Sequence, residues 1–354
     1  MGKSADKIGI YAPYGWEEAT YMAGSLMEWA TRHLGYRVSY MAPAAFEPGV
    51  HYLWDEQVLD GAKHSFKVWA SNCAQIIWFS LSPTKLETAI NLGCKNTLVA
   101  LPHRLSAGDL PLLGRFDRIV CPTRPVFEAL STQRIAKNVH HLPWDCGQPI
   151  LDKEGKRSSV TRILATIDTP TAKVQGALLC YLLRVLLDGN PNVQLTLIYS
   201  KNWPRHAIIA LHELEDLHEG RVTAVRKPTH CQRLELLRES DWVFCPSTRD
   251  NSCFHALEAL SAGCPVIAYN ASPYNELLQS MHNACLASCN LSKGFMDTPV
   301  IQPNTRELLD TLCEVTASRS VLNMLRGNIW AELETRRRDF QGYWTKQWSK
   351  LEKS

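Results

Sequence analysis

Two acidic residues with seven positions between them, Asp250 and Glu258, bracket the segment Asn251-Ser252-Cys253-Phe254. Asn251 or Ser252 can cap a helix there, and a helix start offers free backbone N–H groups and the positive end of the helix dipole. Such a tip suits an anion of the size and charge of a diphosphate. Glu258 falls on the same helical stripe as Phe254, Leu257, Ser261 and Ala262, so its carboxylate leaves a mainly apolar face and needs polar partners. Ribose hydroxyls would serve; the plainer alternative is a buried carboxylate holding a neighbouring loop.

The elements that must position these residues follow one grammar, short apolar or β-branched runs alternating with longer amphipathic segments, which predicts parallel strands joined by helices and an α/β fold. In the first half, 8–12 reads as a strand. A helix follows over 17–34, with Ala19, Met22, Ala23, Leu26 and Ala30 at three- and four-residue spacing, closed by Gly35. Further strands are expected at 37–41, 74–79, 97–101, 118–121 and 139–142. The loop 141–149 and the charged run 152–157 mark a boundary, which gives a first domain over 1–148. The grammar restarts with strands at 162–167, 193–199, 222–225, 242–245 and 266–269, and helices at 171–187, 206–217, 231–239 and 252–262. This second doubly wound domain, 156–325, should hold ligands at the carboxyl ends of its strands.

The block from Asp241-Trp242-Val243-Phe244-Cys245-Pro246-Ser247 through Asp250 and Glu258 to Gly263-Cys264-Pro265-Val266-Ile267 resembles the signature of retaining glycosyltransferases of the GT-B fold. That family carries a strand ending in Pro-Ser, two acidic residues at this spacing, Glu-Ala, and a Gly-x-Pro-Val-Ile turn. The resemblance implies two Rossmann-like domains with an interdomain cleft, transfer from a nucleotide-sugar, and a role for Glu258 on the donor ribose. It also implies contact of Asp250 with the donor sugar or its phosphates, with Arg249, Asn251, Ser252, Cys253 and Phe254 around it. Two departures stand out. The family usually has glutamate where this chain has Asp250, and glycines where it has Asn251 and Cys253, so the backbone is less free to approach phosphate.

Breaking a sugar–phosphate bond leaves negative charge on a diphosphate, which calls for fixed cations or N–H donors. In the family an arginine and then a lysine follow the first strand of the second domain. Lys173 matches the lysine, whereas the arginine position is unfilled, so Arg249, Lys201 or the hydroxyl of Thr169 must supply the difference. For Lys173 the alternative is a solvated lysine at a helix start. By resemblance the loop with Arg226 and Lys227 carries the nucleobase. Gly15 matches a glycine-rich loop near donor and acceptor, and His103, just after a strand, is the first choice for a catalytic-side polar group beside Lys173 and Asp250. A lone histidine is as often structural, and Glu17 and Glu18 suit a first helical turn by its dipole alone.

From Val321 to Leu351 a helical pattern mixes Trp330, Phe340, Tyr343, Trp344 and Trp348 with Arg336-Arg337-Arg338, Lys346 and Lys350. The expected use is a last helix, 326–354, packing back on the first domain through its aromatics. The rival use is contact with nucleic acid, arginines on phosphates and rings on bases, and some phage-type GT-B enzymes glycosylate hydroxymethylated bases in DNA.

The net charge of +3 over 354 residues requires no polyanionic partner. Its 12 cysteines are scattered through apolar patterns, which reads as buried free thiols in a reducing cytosol rather than disulfides, and no metal site is expected at Cys285 and Cys289. The first residues lack the pattern of a secretory signal, and no apolar run approaches the roughly 20 residues of a membrane span. The expectation is therefore a cytoplasmic GT-B enzyme that moves a sugar from a nucleotide-sugar, first choice a UDP-sugar, to a hydroxyl acceptor. No other cofactor is expected, and DNA is one candidate acceptor. A nucleotide-sugar epimerase and a catalytically degenerate sugar- or DNA-binding protein are the alternatives.

Overall fold

The structure, a computed structural model, describes residues 7–12, 17–42, 58–61, 63–101, 105–132, 138–144, 159–167, 169–199, 202–248, 253–294 and 299–352. The chain divides into two compact units, one formed by Met1–Asp145 with Arg338–Ser354 and the other by Cys146–Arg337.

The first unit runs β1 (Lys7–Tyr11), α1 (Glu17–Leu34), β2 (Arg37–Ala42), β3 (Val58–Asp60), α2 (Phe66–Ser71), β4 (Gln75–Trp78), α3 (Pro83–Asn91), β5 (Lys95–Val99), α4 (Leu110–Leu113), β6 (Arg118–Cys121), α5 (Arg124–Thr132) and β7 (Val139–His141). Its strands form one parallel sheet in the order β3-β2-β1-β4-β5-β6-β7. The central strand β4 is buried along its whole length and β1 beyond Lys7, as expected of parallel strands covered on both faces. Gly9 lets α2 close onto β1, since a Cβ there would stand 2.8 Å from the Trp69 indole and 2.9 Å from Cys73 Sγ. Phe340 and Trp344, from the chain's last helix, stack on Trp144 at 5.7 and 5.6 Å between centroids, and Trp344 also meets Trp29 of α1 at 5.5 Å.

The second unit runs β8 (Thr161–Thr166), α6 (Thr169–Gly189), β9 (Val193–Tyr199), α7 (Arg205–Leu217), β10 (Val222–Arg226), α8 (His230–Glu239), β11 (Trp242–Phe244), α9 (Phe254–Ser261), β12 (Val266–Tyr269), α10 (Tyr274–Leu277), β13 (Ala284–Ala287), the antiparallel hairpin β14 (Cys289–Lys293) and β15 (Pro299–Pro303), α11 (Thr305–Ala317) and the start of α12 (Arg319–Glu352). The sheet is again parallel, in the order β10-β9-β8-β11-β12-β13. Both units thus have the 3-2-1-4-5-6 order of doubly wound folds, the first with one strand more.

The last helix starts at Arg319, two residues before the helical pattern read from Val321, and its residues through Arg337 belong to the second unit. The cause is a set of specific contacts. Arg319 and Arg326 reach the buried carboxylate of Asp241 at 3.3 and 3.0 Å, and that same carboxylate accepts the Arg162 N–H at 2.9 Å. Glu332 receives His282 Nε2 at 2.6 Å. Trp330 lies over Gly263, where a Cβ would come within 2.5 Å of the indole. Among the described residues no helix is long and apolar enough to cross a membrane.

Candidate functional site

In the second sheet the order of connection reverses between β8 and β11, and the crevice outside the carboxyl ends of these two strands is where doubly wound sheets bind ligands. The two loops leaving that point are tied together. The Thr166 hydroxyl donates to the Phe244 carbonyl at 3.5 Å, and the Thr248 N–H donates to Thr171 Oγ1 at 3.1 Å. Thr171, Ser247 and Thr248 are all buried. The Ile301 N–H donates to the Thr248 carbonyl at 3.1 Å, so the hairpin β14–β15 braces the same loop. Sequence reasoning named Thr171 only as a helix start; its hydroxyl fixes the first turn of α6 against the end of β11. Lys173, two residues on, is exposed on α6, and Thr169 is the first residue of that helix.

The helix of the acidic pair starts later than its sequence suggests. It begins at Phe254, with Cys253 at the N-cap, so the expectation that Asn251 or Ser252 caps it is corrected. Cys253 has φ 54° and ψ 29°, the left-handed region, which no helix continues through, and its side chain makes no capping hydrogen bond. The backbone conformation explains why glycine suits this position in the resembling family: it occupies that region without a Cβ penalty. At the other end Gly263, φ +65°, closes the helix, its N–H donating to the Leu260 carbonyl at 2.9 Å and the Cys264 N–H to that of Ala259 at 2.9 Å.

Glu258 is 2% exposed, as its place on an apolar stripe predicted, and its partner is one that sequence reasoning missed. Arg233 of α8, itself 1% exposed, places Nε 3.0 Å from Glu258 Oε2. The guanidinium also lies 5.0 Å over the ring of Phe254, and His255 Nδ1 is 3.9 Å from the same carboxylate oxygen. A signal for Arg233 was present. It shares a helical stripe with Leu236 and Leu237, so two opposite charges stand on the apolar faces of consecutive helices.

Of the other expected site residues, Arg226 ends β10 and Lys227 follows it, both exposed. Lys227 has φ 47°, and its N–H donates to the Tyr199 carbonyl at 2.9 Å. The strand β10 is two places from β8, about 10 Å along the sheet at the usual strand spacing. Gly15, His103, Lys201, Arg249, Asp250, Asn251 and Ser252 lie outside the described residues, as does the side chain of Thr169. A pocket of about 370 Å³ lined by Thr161, Asn190, Thr316 and Arg319 lies at the amino ends of β8 and β9, the opposite edge from the site. Among the described residues no three His, Cys, Asp or Glu side chains gather where they could hold a metal ion. Ten described cysteines are free, and burial pushes the thiols of Cys180 and Cys285 up to about 12.

The family model for glycosyl transferases group 1 matches residues 222–297, from β10 through β14. No curated protein matches the sequence significantly. Among solved structures, a glycosyltransferase from Rickettsia africae is similar with a TM-score of 0.72 at 11% identity, covering 98% of this chain and 99% of that one. HepE from Anabaena, solved with UDP-glucose, gives 0.70 at 14% identity over 97% and 99%. A sucrose-phosphate synthase from Thermosynechococcus elongatus gives 0.68 at 12% identity over 98% and 99%. At such identities the likeness to these structures fixes the architecture, and the family match is what speaks to chemistry. The chain has the GT-B architecture of these structures, and a segment of its second unit, residues 222–297, is similar to the glycosyl transferases group 1 model.

Proposed function

We propose that the protein transfers a sugar from a UDP-sugar to a hydroxyl acceptor, with retention of configuration and with neither metal nor other cofactor. The observation that carries this reading is the buried Glu258 on α9, set behind a helix start at the carboxyl edge of a doubly wound sheet inside the group 1 segment. The donor's diphosphate sits at the helix start at Phe254, where the dipole favours negative charge, and Asp250, Asn251, Ser252 and Cys253 are assigned to the donor. Glu258 accepts the ribose hydroxyls, and the loop with Arg226 and Lys227 takes the base. Lys173, exposed on α6, places a cation against the departing diphosphate, helped by Arg249 and Thr169. His103 and Gly15 serve the transferred sugar. Neighbours solved with UDP and a sugar support this choice of donor for the fold. No side-chain nucleophile is needed, and the rate comes from held geometry and preorganised charge.

For the acceptor, hydroxymethylated DNA is one arm of the test. Against it stands the burial of Phe340 and Trp344, whose rings are spent on Trp144 and Trp29 rather than offered to bases. The experiment is to incubate the full chain with several nucleotide-sugars and with DNA, glycan and small-molecule acceptors, then weigh the products. A sugar mass added to an acceptor is the expected result. Isomerised donor without acceptor would make it an epimerase, and donor binding without turnover across the panel would make it a binding protein; either overturns the proposal. Replacing Lys173 by alanine should lower turnover more than donor affinity, and a full-rate variant removes it from the mechanism.

A further inference from the structure

Arg233 is among the largest fully buried side chains of the described residues, and nothing in the reading above uses it. A permanently charged guanidinium is costly to bury, and it is retained where it meets a carboxylate in good geometry. Here it meets one helix at two points, an ion pair with Glu258 and a ring contact with Phe254. Nε stands 3.0 Å from Oε2 of Glu258, the fifth residue of α9, and the guanidinium covers the ring of Phe254, the first. The arginine is itself held by a fixed platform. The start of α8 is capped by Thr229, whose hydroxyl accepts the Gln232 N–H at 3.3 Å, while Gln232 Oε1 accepts the Thr229 N–H at 2.9 Å. This platform follows directly on Arg226 and Lys227.

We infer that Arg233 is a positioning residue of the donor site, acting through Glu258 and Phe254; the inference rests on the donor reading proposed above. Its first effect is on geometry. By the ion pair with Oε2 it biases the rotation of the carboxylate, so that the group meets ribose hydroxyls already partly ordered. Its second effect is on charge. Glu258 lies four residues from the helix start, about 6 Å along the axis, and an uncompensated carboxylate at that range would oppose a diphosphate. The arginine cancels that charge while leaving the oxygen atoms in place. Its third effect is on the tip, since Phe254 under the guanidinium sets where the first N–H groups of α9 point.

The test uses the full chain and UDP as the probe, with binding read by calorimetry and stability by thermal unfolding. Four single variants are needed: Arg233→Lys, Arg233→Met, Glu258→Gln and Leu237→Ala. Leu237 is a buried, uncharged residue on the same helix, and its truncation loosens α8 while both charged groups remain. The expected result is graded. Arg233→Lys folds and binds UDP about 5-fold more weakly, Arg233→Met about 30-fold more weakly, and Leu237→Ala, though destabilised, within about 2-fold of the parent. Should Arg233→Met fail to fold, the lysine variant against Leu237→Ala still decides. UDP affinity unchanged in Arg233→Lys, or lowered equally in Leu237→Ala, overturns the positioning role. The Glu258→Gln variant separates the two claims. If it alone binds UDP as the parent does, the donor reading has failed; if it binds weakly while both arginine variants bind normally, only the inference has failed.

Discussion

Gly263 joins the family's turn to the last helix, and replacing it with alanine tests that joint. Two costs add. The residue sits at φ +65°, where a side chain costs about 1 kcal/mol. The new Cβ would also lie 2.5 Å from Trp330 Cζ2, 2.7 Å from Cε2 and 3.0 Å from Nε1, so the indole or the turn must move. Overpacking of that kind costs about 1–3 kcal/mol, and the sum is about 2–4 kcal/mol. Gly220 provides the control, with φ +76° and nothing within 4 Å of a built Cβ, so Gly220→Ala carries the backbone term alone. Urea unfolding of both variants, compared with the parent, isolates the packing term by difference. At roughly 2–4 °C per kcal/mol for a unit of this size, Gly263→Ala should also melt about 5–15 °C lower. If Gly263→Ala costs no more than Gly220→Ala, Trp330 does not pack where described and the seat of α12 on the second unit is wrong.

Other outcomes follow from single sites. Cys253 holds a left-handed backbone, so Cys253→Val should cost about 2 kcal/mol or more while Cys253→Gly stays within about 1 kcal/mol of the parent; a valine variant as stable as the parent, by urea unfolding, refutes the N-cap geometry. Asp241→Asn leaves Arg319 and Arg326 facing a neutral group in a largely buried site, and about 2–3 kcal/mol of stability should be lost. An unchanged denaturation midpoint would show that these arginines do not depend on it. His218 accepts from Arg221 at 2.7 Å through Nδ1 and turns Nε2 toward Asp188 at 3.4 Å, an arrangement for the neutral ring. Burial, and after it the Arg221 charge, lower its pKa below the ordinary 6.5. Its contribution is therefore intact above pH 6.5 and is lost as pH falls from there through the folded value. His218→Asn should flatten the fall of melting temperature between pH 7 and 5, and an unaltered slope counts against the assignment.

The sequence revealed most where a physical constraint acts locally. Runs such as Val266–Tyr269 and Val193–Tyr199 were read as strands with their observed bounds, because buried parallel strands leave continuous apolar or β-branched stretches. Strand β13 escaped because Ala-Cys-Leu-Ala carries no β-branched residue, and β14 because Asn290, Ser292 and Lys293 face solvent on an isolated hairpin. At the candidate site, the burial of Glu258 was legible from its stripe, since position on a helix is a local property. Its pairing with Arg233 is not local: it joins α8 to α9 across β11, and only the sheet order brings them together. The start of α9 was misplaced for a third reason. Capping preference favours Asn or Ser, yet the left-handed turn at Cys253 had already fixed where the helix could begin.

The central claim is that the carboxyl edge of the second sheet holds the nucleotide of the donor. Its most direct test is a crystal of the full chain soaked with UDP. Diphosphate density is expected at the backbone preceding Phe254 and ribose density against Glu258; nucleotide found instead at the opposite edge, beside Asn190 and Thr316, would contradict the assignment.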